Sequence, residues 1–415
     1  MKNKNKDKSS INGILNKKSN FKLYELILFA TLIIILSVFS TVLVMSGLNG
    51  KETSKISIKN NNSNYLSEFE EVYELINDSY YKNVNKNDLI DGAINGMLQS
   101  LNDPHTSYFS KAETENFNDL MNGSYEGIGA EISINSNGEV FISSIFKNSP
   151  ASEVGLKFND VIIEVNGKST EKMTTTEVVA LIKDSNKPVA NIKVKRDGSE
   201  LEFNVTKRVV VIESVESKTY DVKGKNIGYI VINSFANNTY DQFKEQLEKL
   251  ETKSIVGLII DVRDNSGGYL HSVTSMLDMF LPKGTMIYQI QDKKTTYKYT
   301  SKTNESRNYP IAVLVNKASA SASEILAVGL KESYGADVVG TYTYGKGTVQ
   351  VTKDLSDGSM IKYTIQKWLS PKGNWINEVG VAPTYEVELS DLYEQNPNEE
   401  NDNQLQKALE IISNK

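Results

Sequence analysis

Two apolar runs constrain the fold of this chain more than any other feature. Residues 255–262 are apolar except at Gly257 and Asp261, and residues 311–315 are apolar throughout. A strand with no polar face has to be covered on both sides, as in a sheet flanked by helices. Helical patterns at 240–251, 272–280 and 323–334 alternate with these runs and with further strands at 227–232 and 336–340. The alternation over 214–389 predicts an α/β domain, assigned to 209–390, in which helices cover a mixed sheet.

Upstream, the pattern changes twice. Residues 64–122 read as helical, because Leu66, Phe69, Val72, Tyr73 and Ile76 recur every three or four residues. Leu89, Ile90, Ile94, Met97 and Leu98 repeat that spacing, and Asn102-Asp103-Pro104 ends the second helix, since proline disfavours helical geometry in the residue before it. Residues 123–208 instead show short strands at 140–142, 161–165 and 192–195. Asn137-Gly138, Asn166-Gly167 and Asp197-Gly198 mark turns between them, and one helix falls at 175–184. This is a small β-rich module. Residues 391–415 are expected to form a helical tail with Leu405, Leu409 and Ile412 on one face.

The N-terminus sets the topology. Seven lysines precede residue 25, and residues 26–48 carry no charge. That run is long enough to cross a hydrocarbon core of about 30 Å, and the lysines before it place the N-terminus in the cytoplasm. The expectation is a basic cytoplasmic tail (1–25), a single transmembrane helix (26–48) and a Ser/Asn/Lys-rich linker (49–63). The rest would lie outside the cytoplasm of a bacterial cell, attached to its membrane. A cleaved signal peptide would have a shorter apolar region ending in a small-residue site, and no such site is present. The whole chain has a formal net charge of −6 and residues 1–48 carry +5, which leaves about −11 on the remainder. An acidic body is a poor match for nucleic acid, so protein, peptide or small-molecule substrates are expected.

The chain has no cysteine and two histidines, His105 and His271. This removes thiolate catalysis and Cys-ligated zinc, implies no metal or organic cofactor, and directs attention to serine and lysine. Ser321-Ala322-Ser323-Glu324 follows a buried strand and opens a helix, whose first N–H groups are free to stabilise an oxyanion. Taken alone, it is also an ordinary capping box. Lys346 stands between Gly345 and Gly347, twenty-five residues after Ser321. It can act as a base only when burial makes its neutral form accessible, and taken alone it is a turn lysine. The run Asp261-Val262-Arg263-Asp264-Asn265-Ser266-Gly267-Gly268 carries a buried strand into paired glycines, where backbone oxyanion donors can lie. Ser319, Ser321 and Ser323 remain equal candidates for the nucleophile on residue chemistry.

Two resemblances follow from these motifs. Gly127-Ile128-Gly129-Ala130-Glu131, Asn148-Ser149-Pro150-Ala151, residues 155–162 and Val165-Asn166-Gly167, in that order, resemble a PDZ domain over 123–208. The resemblance implies that Gly127, Ile128, Gly129 and Ala130 present backbone to a peptide C-terminus, with strand addition alongside. The Asp261–Gly268 segment, residues 319–324 and Gly345-Lys346-Gly347-Thr348-Val349-Gln350 resemble the C-terminal processing (tail-specific) peptidases, in which a PDZ domain precedes a Ser/Lys catalytic domain. Residues 101–108 also resemble that family's region ahead of the PDZ domain. The resemblance implies Ser321 as nucleophile, Lys346 as general base and Gln350 as the residue orienting the lysine. Ala322 and Gly267 or Gly268 would supply the oxyanion hole. The implied partners are proteins or peptides with exposed C-termini, and a homodimer through the helical ends is compatible with the family pattern. Val328 stands where the family often has a small residue. The rival readings are a catalytically inactive PDZ scaffold and a different Ser/Lys enzyme; the first would be favoured by loss of Ser321, Lys346 or Gln350, and all three are present.

Overall fold

The computed structural model describes residues 63–184 and 186–415. The basic tail, the expected transmembrane helix and nearly all of the linker lie outside the described residues. Among the described residues no helix is long and apolar enough to cross a membrane. The described residues divide into two units, split after Leu89. In the first, helix Ser63–Ser79 carries the apolar stripe read from the sequence, and Leu66, Phe69, Val72 and Leu75 on it are exposed.

Within the second unit, the β-rich module is an antiparallel sheet in the order Ala130–Ile134, Val140–Ile145, Val161–Val165, Val189–Arg196, Ser199–Thr206. Ile142, Ile162, Ile192 and Val205 point to one core with Val178, which lies on helix Thr175–Lys183. That helix starts at a capping box made by Thr174 and Glu177, which satisfies two otherwise unpaired N–H groups. Strand Ala130–Ile134 lies at the sheet's edge, where an added strand would pair. Strand Ser124–Gly127 pairs with Arg208–Val211, so the module's entry and exit leave side by side.

The expected α/β domain forms a six-stranded mixed sheet. Val215–Val222 runs antiparallel to Lys225–Ile232, and Gly257–Asp261, Ile311–Val315, Asp337–Gly340 and Tyr385–Glu386 follow in parallel. The two apolar runs are its central strands, and every residue of Gly257–Asp261 and Ile311–Val315 is buried. Helices Thr239–Glu251, Leu270–Asp278 and Ala322–Gly329 cover one face through a core that includes Phe243, Met276 and Leu326. Helix Asn403–Ser413 covers the other.

Three details differ from the sequence reading. The C-terminal helix is not a tail: Leu405, Ala408 and Ile412 are buried against Ile259, Ala312 and Leu314 of the central strands. The helix at 323–334 begins one residue earlier and is α-helical to Gly329, then continues as a π-turn over Leu330–Tyr334. The region 64–122 is not wholly helical, because Ser107–Phe109 is a strand. It pairs with Met360–Leu369 of a second sheet that also holds Thr348–Asp354 and Met286–Gln291. Helix Lys86–Gln99 ends before Asn102-Asp103-Pro104, and a distant strand offers backbone pairing to the residues that follow. Val328 packs in the core, 4% exposed.

Candidate active site

Three loops meet at the carboxyl edge of the central sheet, where open α/β sheets place ligands. The paired glycines follow Gly257–Asp261, the serine run follows Ile311–Val315, and the lysine follows Asp337–Gly340.

The three serines differ in their partners. Ser319 is fully buried and its hydroxyl donates to the Val262 carbonyl at 2.8 Å. Ser323 is fully buried and donates to the Asn265 carbonyl at 2.7 Å. Both brace the serine loop against the glycine loop. Ser321 is only partly buried, and its hydroxyl makes no capping hydrogen bond. Its backbone adopts φ 55°, ψ −111°, a conformation that costs a non-glycine residue about 1–3 kcal/mol and persists where surrounding contacts enforce it.

Two backbone N–H groups of the glycine and serine loops lack an acceptor among the described residues. Ala322 is the first helical residue, so its N–H has no partner within the helix. Gly268 bridges to Phe235 through its neighbours: Phe235 N–H donates to the Gly267 carbonyl at 3.0 Å and Tyr269 N–H to the Phe235 carbonyl at 2.6 Å. The Gly268 N–H is thereby left over. Gly267 is different, since its N–H donates to Asn265 Oδ1 at 2.8 Å. Glycine is required at 267 by proximity: a Cβ there would lie 2.9 Å from Ser321 Cβ and 3.0 Å from the Ala322 nitrogen.

Glu324 ties the serine to the lysine. Its fully buried carboxylate accepts from Ser321 N–H (2.7 Å), Thr343 Oγ1 (2.5 Å), Gly345 N–H (2.7 Å) and Lys346 N–H (2.9 Å). Burial pushes its carboxyl up, against the opposing pull of those four donors. Trp368 Nε1 holds the Lys346 carbonyl at 2.8 Å. Burial pushes the Lys346 amine down, and the charge of nearby Lys362 adds to this, while Glu324 and Asp103 oppose it. Lys346 Nζ makes no ion pair or hydrogen bond to Ser321 in this structure. Gln350 follows a β-bulge in the strand Thr348–Asp354. Its Nε2 donates to Thr348 Oγ1 at 2.9 Å and Thr364 Oγ1 at 3.0 Å, not to Lys346.

In the β-rich module, Gly127, Ile128 and Ala130 line a cavity of about 370 Å³ together with Phe146, Val179 and Lys183. The Tyr125 ring packs on Gly127, and Lys183 Nζ pairs with Asp119 at 2.5 Å. Gly129 does not line the cavity; at φ 75° it makes the turn over Ser149, where a side chain would collide.

Sequence reasoning missed three contributors. Glu324 was legible only as a helix cap. Asn265, fully buried, joins the glycine loop to Ile232 through a 2.7 Å bond from its Nδ2. The Asp103-Pro104-His105-Thr106 segment reaches the lysine side of the site, with His105 edge-on to Tyr344 at 6.3 Å.

Comparison with known proteins identifies the domains. Residues 226–387 match Peptidase family S41, residues 119–195 match the PDZ domain, and residues 39–114 match the activating protease CtpB N-terminal domain. The chain is 40% identical to the carboxy-terminal processing protease CtpB of Bacillus subtilis (strain 168) over 84% of this chain and 72% of that protein. It is 38% identical to carboxy-terminal processing protease CtpA of the same organism, over 77% of this chain and 68% of that protein. An S41 protease candidate from Bacteroides fragilis NCTC 9343, 18% identical, shares the fold with a TM-score of 0.50, covering 77% of this chain and 90% of that one. Fold and site together define a PDZ-bearing serine-type peptidase. The chain belongs to the C-terminal processing peptidases of family S41.

Proposed function

We propose that this C-terminal processing peptidase cleaves by a Ser/Lys mechanism, and that it works from the outer face of a bacterial cell membrane. The observation that carries the mechanism is the tie between Ser321, whose hydroxyl makes no capping hydrogen bond on a strained turn, and Lys346, whose half-buried amine is held below its ordinary basicity. One carboxylate, Glu324, holds both backbones.

In this reading the neutral Lys346 amine takes the Ser321 proton as Oγ attacks the scissile carbonyl. The N–H groups of Ala322 and Gly268 donate to the developing oxyanion. Collapse of the tetrahedral intermediate passes the proton from Lys346 to the leaving amine and leaves an acyl-serine. A water molecule, deprotonated by Lys346, then releases the acid and restores both residues. Gln350 orients the lysine. The missing hydrogen bond between Ser321 and Lys346 fits an enzyme whose catalytic bonds tighten with substrate bound, and capture of a peptide by the PDZ module is the step that would align them.

The module supports capture of an apolar C-terminus by strand addition to Ala130–Ile134, beside the cavity lined by Gly127, Ile128 and Ala130. Substrates ending in a free carboxylate are therefore expected to be cleaved faster than the same sequences ending in an amide. Equal rates in a steady-state comparison would remove carboxylate capture from the mechanism. Anchoring rests on the uncharged run 26–48 with its preceding lysines. A protease added to intact cells should then digest the body of the chain; full protection of an intact, membrane-bound chain would reverse the assigned topology. A homodimer through the helical ends belongs to the same reading, and light scattering that returned a monomer mass would remove it.

A further inference from the structure

The segment Asn102-Asp103-Pro104-His105-Thr106 lies far from Gln350 in sequence, yet side chain and backbone connect them in space. The Asp103 carboxylate accepts the His105 N–H at 3.0 Å through Oδ1 and the Thr106 hydroxyl at 2.6 Å through Oδ2. Thr106 Oγ1, having given its proton to Asp103, accepts the Thr364 N–H at 3.2 Å. The Thr364 hydroxyl accepts from Gln350 Nε2 at 3.0 Å. Strand pairing holds the two ends in register: Ser107 lies opposite Lys362, and Gln350 lies directly opposite Thr364.

The chemistry of the amide gives this chain of bonds a consequence. Gln350 has two N–H donors and one oxygen. With Thr348 and Thr364 both accepting from its nitrogen, the oxygen is turned to the other side, where it can accept from an ammonium. A swinging glutamine would present donor and acceptor alternately, and only the acceptor can hold a lysine N–H while leaving the neutral amine's lone pair for the Ser321 proton. Asp103 holds the near end. As a carboxylate it only accepts, so Thr106 gives it a proton and keeps a lone pair for the Thr364 backbone N–H, which fixes the strand segment whose hydroxyl accepts from Gln350. Burial disfavours the charged form of Asp103, but hydrogen bonds from Thr106, Thr364 and the His105 N–H outweigh it and keep the carboxyl below its usual range.

We propose that Asp103 and Thr106 are positioning residues of the catalytic site, acting through Thr364 to hold Gln350 with its oxygen available to Lys346. The inference rests on the reading in which Gln350 orients the lysine. It gives the region ahead of the PDZ domain a role in catalysis rather than in ending a helix.

The test is a set of variants in the full chain, assayed on one protein substrate with an apolar C-terminus. Thr106→Val and Asp103→Asn are each expected to lower kcat about tenfold to a hundredfold, the range that misplacing a catalytic group by about 1 Å costs, with KM unchanged. Thr106→Ser restores the hydroxyl and should return kcat to the parent value. In a double-mutant cycle, adding Thr106→Val to Gln350→Ala should cost little beyond Gln350→Ala alone. Fully additive losses, or a Thr106→Ser variant as slow as Thr106→Val, would overturn the proposal. If Gln350→Ala alone leaves kcat intact, the orienting role of Gln350 fails, and this inference fails with it. If instead Gln350→Ala is slow but Thr106→Val is not, only the inference fails. Parent-like binding of a C-terminal peptide by each variant identifies loss of kcat as local rather than as unfolding.

Discussion

Ser321→Ala is expected to lower the cleavage rate by a factor on the order of 10⁶, the scale on which removing a serine nucleophile acts. Stability should hardly change. Alanine tolerates φ 55° no worse than serine does, and the lost hydroxyl makes no capping hydrogen bond. The neighbouring substitutions should behave in the opposite way. Ser319→Ala and Ser323→Ala each remove a hydroxyl donor from a buried carbonyl, of Val262 and Asn265 respectively, that keeps one backbone donor, and Ser319→Ala also takes the acceptor from the Asn316 N–H. Ser323→Ala should cost about 0.5–1.5 kcal/mol of stability and Ser319→Ala, which leaves the Asn316 N–H unpaired, about 1–3 kcal/mol, while both leave the nucleophile in place. Single-turnover assays of the three variants, with urea unfolding of each, separate these cases. Retained cleavage by Ser321→Ala together with loss in Ser319→Ala or Ser323→Ala would move the nucleophile to the other serine.

Lys346→Met should abolish cleavage by a factor on the order of 10⁴, the upper range for a general base, and should raise thermal stability at neutral pH. The folded protein holds the amine below lysine's ordinary value of 10.5, by burial and by the charge of Lys362. Between that lowered value and 10.5 the unfolded chain binds more protons than the folded one. Stability of the parent therefore increases with pH across that window, and the cost is fully present below it. Methionine fills the same space without a charge to desolvate. The stability advantage of Lys346→Met should be largest below the window and should close as pH approaches 10.5. The same lowered amine should set the acidic limb of the pH–rate profile. A variant less stable than the parent at neutral pH would mean that the amine is stabilised by its surroundings, and the base assignment would lose its physical support.

Much of the architecture was legible because it is written in local patterns. Runs such as 311–315 have no polar face, and their shortness and alternation with helical patterns mark them as central strands. Period-two and period-three-to-four spacings separated the β-rich module from the helices around it. The Asn-Gly and Asp-Gly pairs marked turns that need positive φ, which Asn166, Gly167, Asp197 and Gly198 do adopt. The motifs around Gly267, Ser321 and Lys346 were legible by resemblance to a family. The spacing of Leu405, Leu409 and Ile412 was read correctly as one face of a helix, but not what that face covers. Its partners Ile259 and Leu314 are some ninety or more residues away.

What the sequence alone determined is therefore the class of each layer, the family, and the short list of groups able to do the chemistry. Tertiary structure decided among members of that list. Ser319 and Ser323 became braces because carbonyls of another strand's loop, Val262 and Asn265, came within reach of their hydroxyls. Gly268 rather than Gly267 kept a free N–H because the side chain of Asn265 took the other. Glu324 changed from a helix cap to the tie between two catalytic loops because Thr343, Gly345 and Lys346 brought three further donors to it. The physical reason is common to all three. Hydrogen-bond capacity is a property of the residue, but satisfaction of that capacity inside a folded protein depends on which distant groups arrive, and a group left unsatisfied beside a strained turn is what remains for substrate.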